Sequence, residues 1–148
     1  NFSEYTSIRS YFPLDPNDPW KSYNPNLPSW VVQDLGYLSR RYGYWIYITN
    51  ETLLYINSTL ATPTLTDLNP GWHLLGYPSI YERPVNDTFG QLVPNFDYVY
   101  MYNASDIDDP WKEYTWNNSL PSNQDLVYTI PNFGYWIYML NPDTIVIS

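Results

Sequence analysis

Apolar and aromatic residues gather into short runs along this chain, set apart by prolines and turn residues. Tyr44–Ile48 and Tyr135–Leu140 are aromatic and β-branched runs of the kind that strands prefer. Thr52–Ile56 and Thr144–Ile147 follow them after the short turns Thr49-Asn50-Glu51 and Asn141-Pro142-Asp143, which predicts a hairpin at each place. Tyr98–Tyr102 predicts another strand, and so does Trp72–Tyr77, opened by the Asn69-Pro70-Gly71 turn. Fourteen prolines punctuate the rest and leave little room for helix. One short helix is expected, capped by Asn86 or Asp87 and ending by Leu92, with Gly90 weakening it.

The pattern repeats. Asp18-Pro19-Trp20-Lys21 returns as Asp109-Pro110-Trp111-Lys112, Gln33-Asp34-Leu35 as Gln124-Asp125-Leu126, and Gly43-Tyr44-Trp45-Ile46-Tyr47 as Gly134-Tyr135-Trp136-Ile137-Tyr138, always 91 residues on. Residues 18–56 and 109–147 share 17 identities in 39 without a gap. Duplication predicts two supersecondary units of one fold. The expectation is an all-β protein of two related small β-sandwich or barrel-like modules, residues 1–60 and 61–148, with very little helix. The copies are unequal. Ser7–Tyr11 answers to Tyr98–Tyr102, but nothing before it matches Gly71-Trp72-His73-Leu74-Leu75-Gly76-Tyr77-Pro78-Ser79.

Composition narrows the function. Aromatic residues make up 20% of the 148 positions, charged residues only 14%, and the net charge is −9. Six scattered Lys and Arg make no basic stripe for nucleic acid. An aromatic-rich chain does not read as disordered, and no apolar run approaches the ~20 residues of a membrane span. There is no cysteine, hence no disulfide framework and no thiolate chemistry. Six Asn-x-Ser/Thr acceptors are present, at Asn1, Asn50, Asn57, Asn86, Asn103 and Asn117. About two would arise by chance from this composition, so the excess predicts an extracellular glycoprotein with exposed acceptors in turns or at strand ends.

Catalytic chemistry finds little footing, and no enzymatic role is expected. His73 is the single histidine and reads as a strand residue facing solvent or a partner rather than a general base. Glu4, Glu51, Glu82 and Glu113 are not spaced as a facing pair. Asp15, Asn17 and Asp18 align with Asp106, Asp108 and Asp109. Such oxygen-rich turns could suit calcium, but Asp and Asn also form turns by bonding their own backbone, and the loop lacks the Gly and distal Glu of an EF-hand; the turn reading is preferred and no cofactor is expected. Trp20, Trp45, Trp111 and Trp136 recur at matched positions and are expected to fill the two cores. Trp30 and Trp116 do not match, and are the better candidates for stacking on sugars or on a neighbouring subunit. Tyr44 and Tyr47 cannot both face one side of a strand, so one set of tyrosines lies outside.

The ordered motifs Gly-Trp-x-Leu-x-Gly-Tyr-Pro-Ser (71–79), Tyr-x-Tyr-Asn-Ala-Ser-Asp (100–106), Asp-Pro-Trp-Lys (109–112), Asp-Leu (125–126) and Gly-Tyr-Trp-Ile-Tyr (134–138) resemble a module repeated in secreted archaeal and bacterial cell-surface proteins, surface-layer-like proteins among them. The resemblance spans Gly71–Ile147 and, in the shorter copy, Tyr11–Ile56. It implies an extracellular β-domain without a known catalytic role. The expected function is a structural subunit of a cell-surface filament or coat, partnered by other copies of itself and by covalent glycans. A carbohydrate-binding or adhesion module is the alternative. Because one chain offers a single Gly-Trp strand for two modules, subunits are expected to exchange strands, with Asn1–Phe12 as donor.

Overall fold

The computed structural model describes residues 5–56 and 63–148. In chain order the elements are β1 Tyr5–Tyr11, β2 Trp20–Tyr23, β3 Trp45–Ile48, β4 Thr64–Leu68, β5 Gly71–Gly76, β6 Arg83–Pro84, α1 Val85–Phe89, β7 Phe96–Tyr102, β8 Trp111–Tyr114, β9 Tyr128–Thr129, β10 Gly134–Met139 and β11 Asp143–Ile147. A single 3-10 turn, Gly90–Leu92, continues α1. The protein is all-β, and its strands pair antiparallel in a three-stranded sheet β2-β1-β3, a four-stranded sheet β5-β10-β7-β8 and the ribbons β4–β11 and β6–β9.

The duplication is visible bond by bond. Displaced by 91 residues, β1, β2 and β3 become β7, β8 and β10, with the same sheet order. Tyr44 Oη accepts from Ser39 N at 2.7 Å, and Tyr135 Oη accepts from Ile130 N at 2.6 Å. Asp34 Oδ1 accepts from Ser22 N at 2.6 Å, and Asp125 Oδ1 accepts from Glu113 N at 2.7 Å. Phe12 N donates to Pro19 O at 2.7 Å, as Asn103 N does to Pro110 O at 2.7 Å. In each pair the accepting residue is the same in both copies (Tyr44 and Tyr135, Asp34 and Asp125, Pro19 and Pro110), so each copy turns in the same places.

The second copy has a closed core. Along β10 every second residue is buried, Tyr135, Ile137 and Met139, as the period of a strand with one covered face requires. Val99 and Met101 of β7 join them. Ile145 and Ile147 of β11, Leu68 of β4, and Val85, Phe89 and Leu92 from the helical segment close the opposite side. The i, i+4, i+7 spacing of the last three puts one helical face on the sheet. Fully burying a side chain of this size stabilises by roughly 1.5–3 kcal/mol.

Three expectations change here. The terminal hairpins do not form: β10 lies in the four-stranded sheet while β11 pairs with β4, so the chain crosses between layers at Asn141-Pro142. Asn95 O holds that crossing, accepting from Leu140 N and Asn141 N. In the first copy Thr52–Ile56 is not a strand. The helix forms at least two residues early, at Val85 after Pro84, without a side-chain cap, so Asn86 and Asp87 sit inside it. Finally, Tyr5–Tyr11 is no free arm. It is the middle strand of its own sheet, bonded to β2 and β3; Asn1–Glu4 lie outside the described residues.

The single Gly-Trp strand β5 touches both copies. It pairs along its length with β10, and its other edge reaches the first copy at Tyr42 and Gly43, where Gly43 N donates to Leu74 O at 2.9 Å and Gly76 N to Arg41 O at 3.0 Å. The approach demands glycine: a Cβ on Gly43 would lie 2.8 Å from the Leu75 carbonyl oxygen, and one on Gly76 would run into the Arg40 carbonyl.

Candidate functional site

Two surfaces stand out, an aromatic seam between the copies and an uncovered apolar face on the first copy. The seam follows from strand alternation. Because Tyr135, Ile137 and Met139 take the inner face of β10, Trp136 and Tyr138 must point outward. The outward face of one copy lies on the outward face of the other, with matched contacts. Trp136 meets Tyr11 and Trp20 at centroid distances of 5.4 and 5.8 Å, and Trp45 meets Tyr102 and Trp111 at 5.0 and 5.7 Å. Each contact in one pair is the other shifted by 91 residues. The four recurring tryptophans are therefore not core residues: Trp45 and Trp136 are half-buried and Trp20 and Trp111 exposed. Recurrence at matched positions reflects a pseudo-symmetric seam, which constrains both copies as a core does.

Beside the seam, Tyr11, Trp72, Tyr100, Trp111 and Trp136 line an open groove of about 470 Å³. Tyr98 stacks on Tyr100 at 5.8 Å, and burial together with the nearby Glu113 carboxylate pushes the Tyr100 hydroxyl above its ordinary range. Trp116 is not in this groove. It packs on the core with its indole N–H donating to Phe96 O, whereas Trp30 is exposed.

The uncovered face is read by comparing equivalent positions. Ile137, Met139, Ile145 and Ile147 are 0, 1, 1 and 5% exposed. Their counterparts Ile46, Ile48, Leu54 and Ile56 are 38, 49, 47 and 58% exposed, while Ile8, Ser10 and Leu35, which answer to Val99, Met101 and Leu126, stay buried, so the uncovered part is the β3 side of the face and residues 52–56. The residue types are the same or nearly so; the layer laid over them differs. In the second copy that layer is the β4–β11 ribbon and the helical segment; in the first copy residues 52–56 do not form the strand that answers to β11, and no described residues stand in for β4 or the helical segment.

The acidic turns are built around lysines. Lys21 Nζ lies 2.8 Å from Asp15 and 3.0 Å from Asp18, and Lys112 Nζ lies 2.9 Å from Asp106, 2.8 Å from Asp109 and 3.8 Å from Asp125. Asp15 and Asp106 also accept from the backbone N–H of Asp18 and Asp109, closing Asx turns. The ammonium holds Asp15 and Asp106 below the usual carboxylate range, and the lysines are pushed up in return. Asn17 and Asp108 are exposed. Among the described residues no group of three or more acidic or histidine side chains is arranged to hold a metal ion.

His73 is buried, against expectation, on the inner face of β5, and its Nε2–H donates to Asn69 O at 2.7 Å. Strand register decides this: His73 lies opposite the core residue Ile137. Burial pushes the imidazole below its ordinary value of 6.5. The unfolded chain therefore binds the extra proton first, and acidification through 6.5 lowers stability until the folded value is passed. With one histidine in the chain, His73→Gln should flatten the dependence of Tm on pH below 6.5. An unchanged slope would show that the imidazole does not carry it.

Of the glycan acceptors, Asn50 is exposed, while Asn103 and Asn117 are half-buried and close Asx turns with Ser105 N and Ser119 N at 3.1 and 3.0 Å. Asn86 is exposed but lies in α1, not in a turn, and its Oδ1 accepts from Tyr114 Oη at 3.3 Å. Asn1 and Asn57 fall outside the described residues. No helix of the described residues is long and apolar enough to cross a membrane. A scan against protein-family models, a search of curated proteins and a search of solved structures each return no match for this chain.

Proposed function

We propose that this chain is an extracellular structural glycoprotein, a subunit of a cell-surface filament or coat in which subunits complete one another's sheets. The observation that carries the reading is the uncovered apolar face of the first copy, whose four side chains are core residues in the second. Large apolar patches of this kind mark interaction surfaces. The excess of glycan acceptors and the resemblance to a repeated surface-layer-like module support the extracellular setting. With Tyr5–Tyr11 committed to its own sheet, the first copy acts as acceptor rather than donor. A head-to-tail contact of this kind generates a fibre when its rotation does not close.

Electron microscopy of native material and of a variant with Ile46, Ile48, Leu54 and Ile56 all replaced by Thr tests the role. Ordered polymers should form from the first and not from the second, while the second copy keeps its fold. Polymers that persist in the variant would sink the assembly claim. Intact mass of the native protein tests the glycans: mass in excess of the polypeptide should map to Asn50, Asn103 and Asn117, with least at Asn86. A bare polypeptide mass would remove the glycoprotein claim.

The aromatic groove favours a second reading, carbohydrate binding. Exposed Trp72 and Trp111 supply flat apolar surface next to tyrosine hydroxyls. Titration with oligosaccharides should then change tryptophan fluorescence in the native chain and not in Trp111→Ala.

A further inference from the structure

The duplication within this chain holds a worked example of what the uncovered face takes. In the second copy the face is covered by one continuous stretch, Thr64 to Leu92. Its β4 strand lies antiparallel on β11, with Thr66 opposite Ile145 and Thr64 opposite Ile147. Leu68, Leu75, Val85, Phe89 and Leu92 of the same stretch enter the core. Gln91 clamps the outer layer: its Nε2 donates to Val146 O and its Oε1 accepts from Val146 N, both at 3.0 Å.

The first copy carries the receiving half of this arrangement. Tyr44, Ile46, Leu54, Ile56 and Leu35 answer in the alignment to Tyr135, Ile137, Ile145, Ile147 and Leu126; residues 52–56 are not a strand here and would take the place of β11 once a partner strand pairs with them. The tyrosine makes the same backbone bonds in both copies. The chain's own covering stretch is committed to β10 and β11, and β5 meets the first copy along Arg40–Gly43, away from residues 52–56. One covering stretch cannot serve two faces.

We infer that the first copy is a receptor for a segment of the Thr64–Leu92 type presented by another polypeptide: an extended strand laid antiparallel along residues 52–56, followed by a turn and an apolar helical face. The sequence identity between the two receiving faces sets the chemistry of this partner, and the register of β4 on β11 sets its placement. Shifted by 91 residues, that register puts donor Thr66 opposite Leu54 and donor Thr64 opposite Ile56. Strand addition supplies main-chain hydrogen bonds, and alternate side chains supply specificity. A second copy of the face itself would not fit as well. Two receiving faces bring no strand equivalent to β4 and no helical segment.

The inference rests on the proposed assembly for its biological partner, but the two fail separately. The probe is a synthetic peptide of residues 63–93 of this chain, added to the intact protein. It should bind with one-to-one stoichiometry and slow hydrogen exchange in residues 45–56. The variant Ile46→Ser/Leu54→Ser should weaken it at least tenfold, while a scrambled peptide should not bind. Because the chain has no cysteine, register is testable directly. Leu54→Cys should form a disulfide with a peptide carrying Thr66→Cys, and not with one carrying the cysteine at Asp67, whose side chain faces the other way. No binding, protection elsewhere, or two such faces packed directly on each other at working concentration would each overturn the receptor. Binding without any polymer in native material would instead uphold the receptor and sink the assembly.

Discussion

Replacing Ile137 by Ala should cost the isolated chain about 2–5 kcal/mol, and replacing Ile46 by Ala less than about 1 kcal/mol. The two residues are identical in type and occupy the same place in the repeat. Ile137 is fully buried between β5 and β7, opposite His73 and Val99, so truncation loses transfer free energy and leaves a cavity. Ile46 already meets solvent over 38% of its surface, and water fills the space that truncation opens. Urea unfolding of the two variants measures the difference. Equal losses would mean that the first copy has a covered core of its own. In the assembled state the asymmetry should vanish, because the face gains the layer that Ile137 already has.

Trp136→Ala should destabilise the union of the two copies by roughly 2–3 kcal/mol, below the 3–5 kcal/mol of a fully buried tryptophan because the ring is half-exposed. Its indole touches Tyr11, Trp20 and Trp72, at centroid distances of 5.4, 5.8 and 6.2 Å. Aromatic pairs contribute about 0.5–1.5 kcal/mol each beyond area burial. Trp20→Ala and Trp136→Ala should not add, since each removes the same contact, and a double-mutant cycle should return a coupling of about 1 kcal/mol. Trp45→Ala, its counterpart, should loosen the seam at Trp111 and Tyr102. Additive losses would place the two rings in independent environments and dissolve the seam.

Much of the architecture was legible in the residues. The repeat, the β5, β7 and β10 strands and the near-absence of helix follow from identity at a fixed offset, aromatic and β-branched runs, and proline spacing. The acidic turns were legible as turns, because Asp side chains bond nearby backbone N–H groups, and the structure adds the lysine that each pair of carboxylates embraces. The short strands β2 and β8 were missed. Trp20–Tyr23 and Trp111–Tyr114 mix charged with aromatic residues and gain strand character only by pairing with β1 and β7. β4 was missed for a similar reason: Thr64–Leu68 is mostly polar, and becomes a strand by lying along β11.

The amino-acid sequence by itself determined that every strand has two unlike faces and that the same unit occurs twice. Alternation with period two is a local property of an extended chain, and repetition can be read without knowing any contact. Which face became core was decided by the tertiary structure. Identical Gly-Tyr-Trp-Ile-Tyr runs bury their isoleucine in one copy and expose it in the other, because burial depends on a layer contributed by residues 64–92 and available to only one of them. The matched tryptophans became a seam rather than two cores for the same reason. A strand's period sets which side chains travel together, and only the neighbour packed against each face decides whether they meet protein or water.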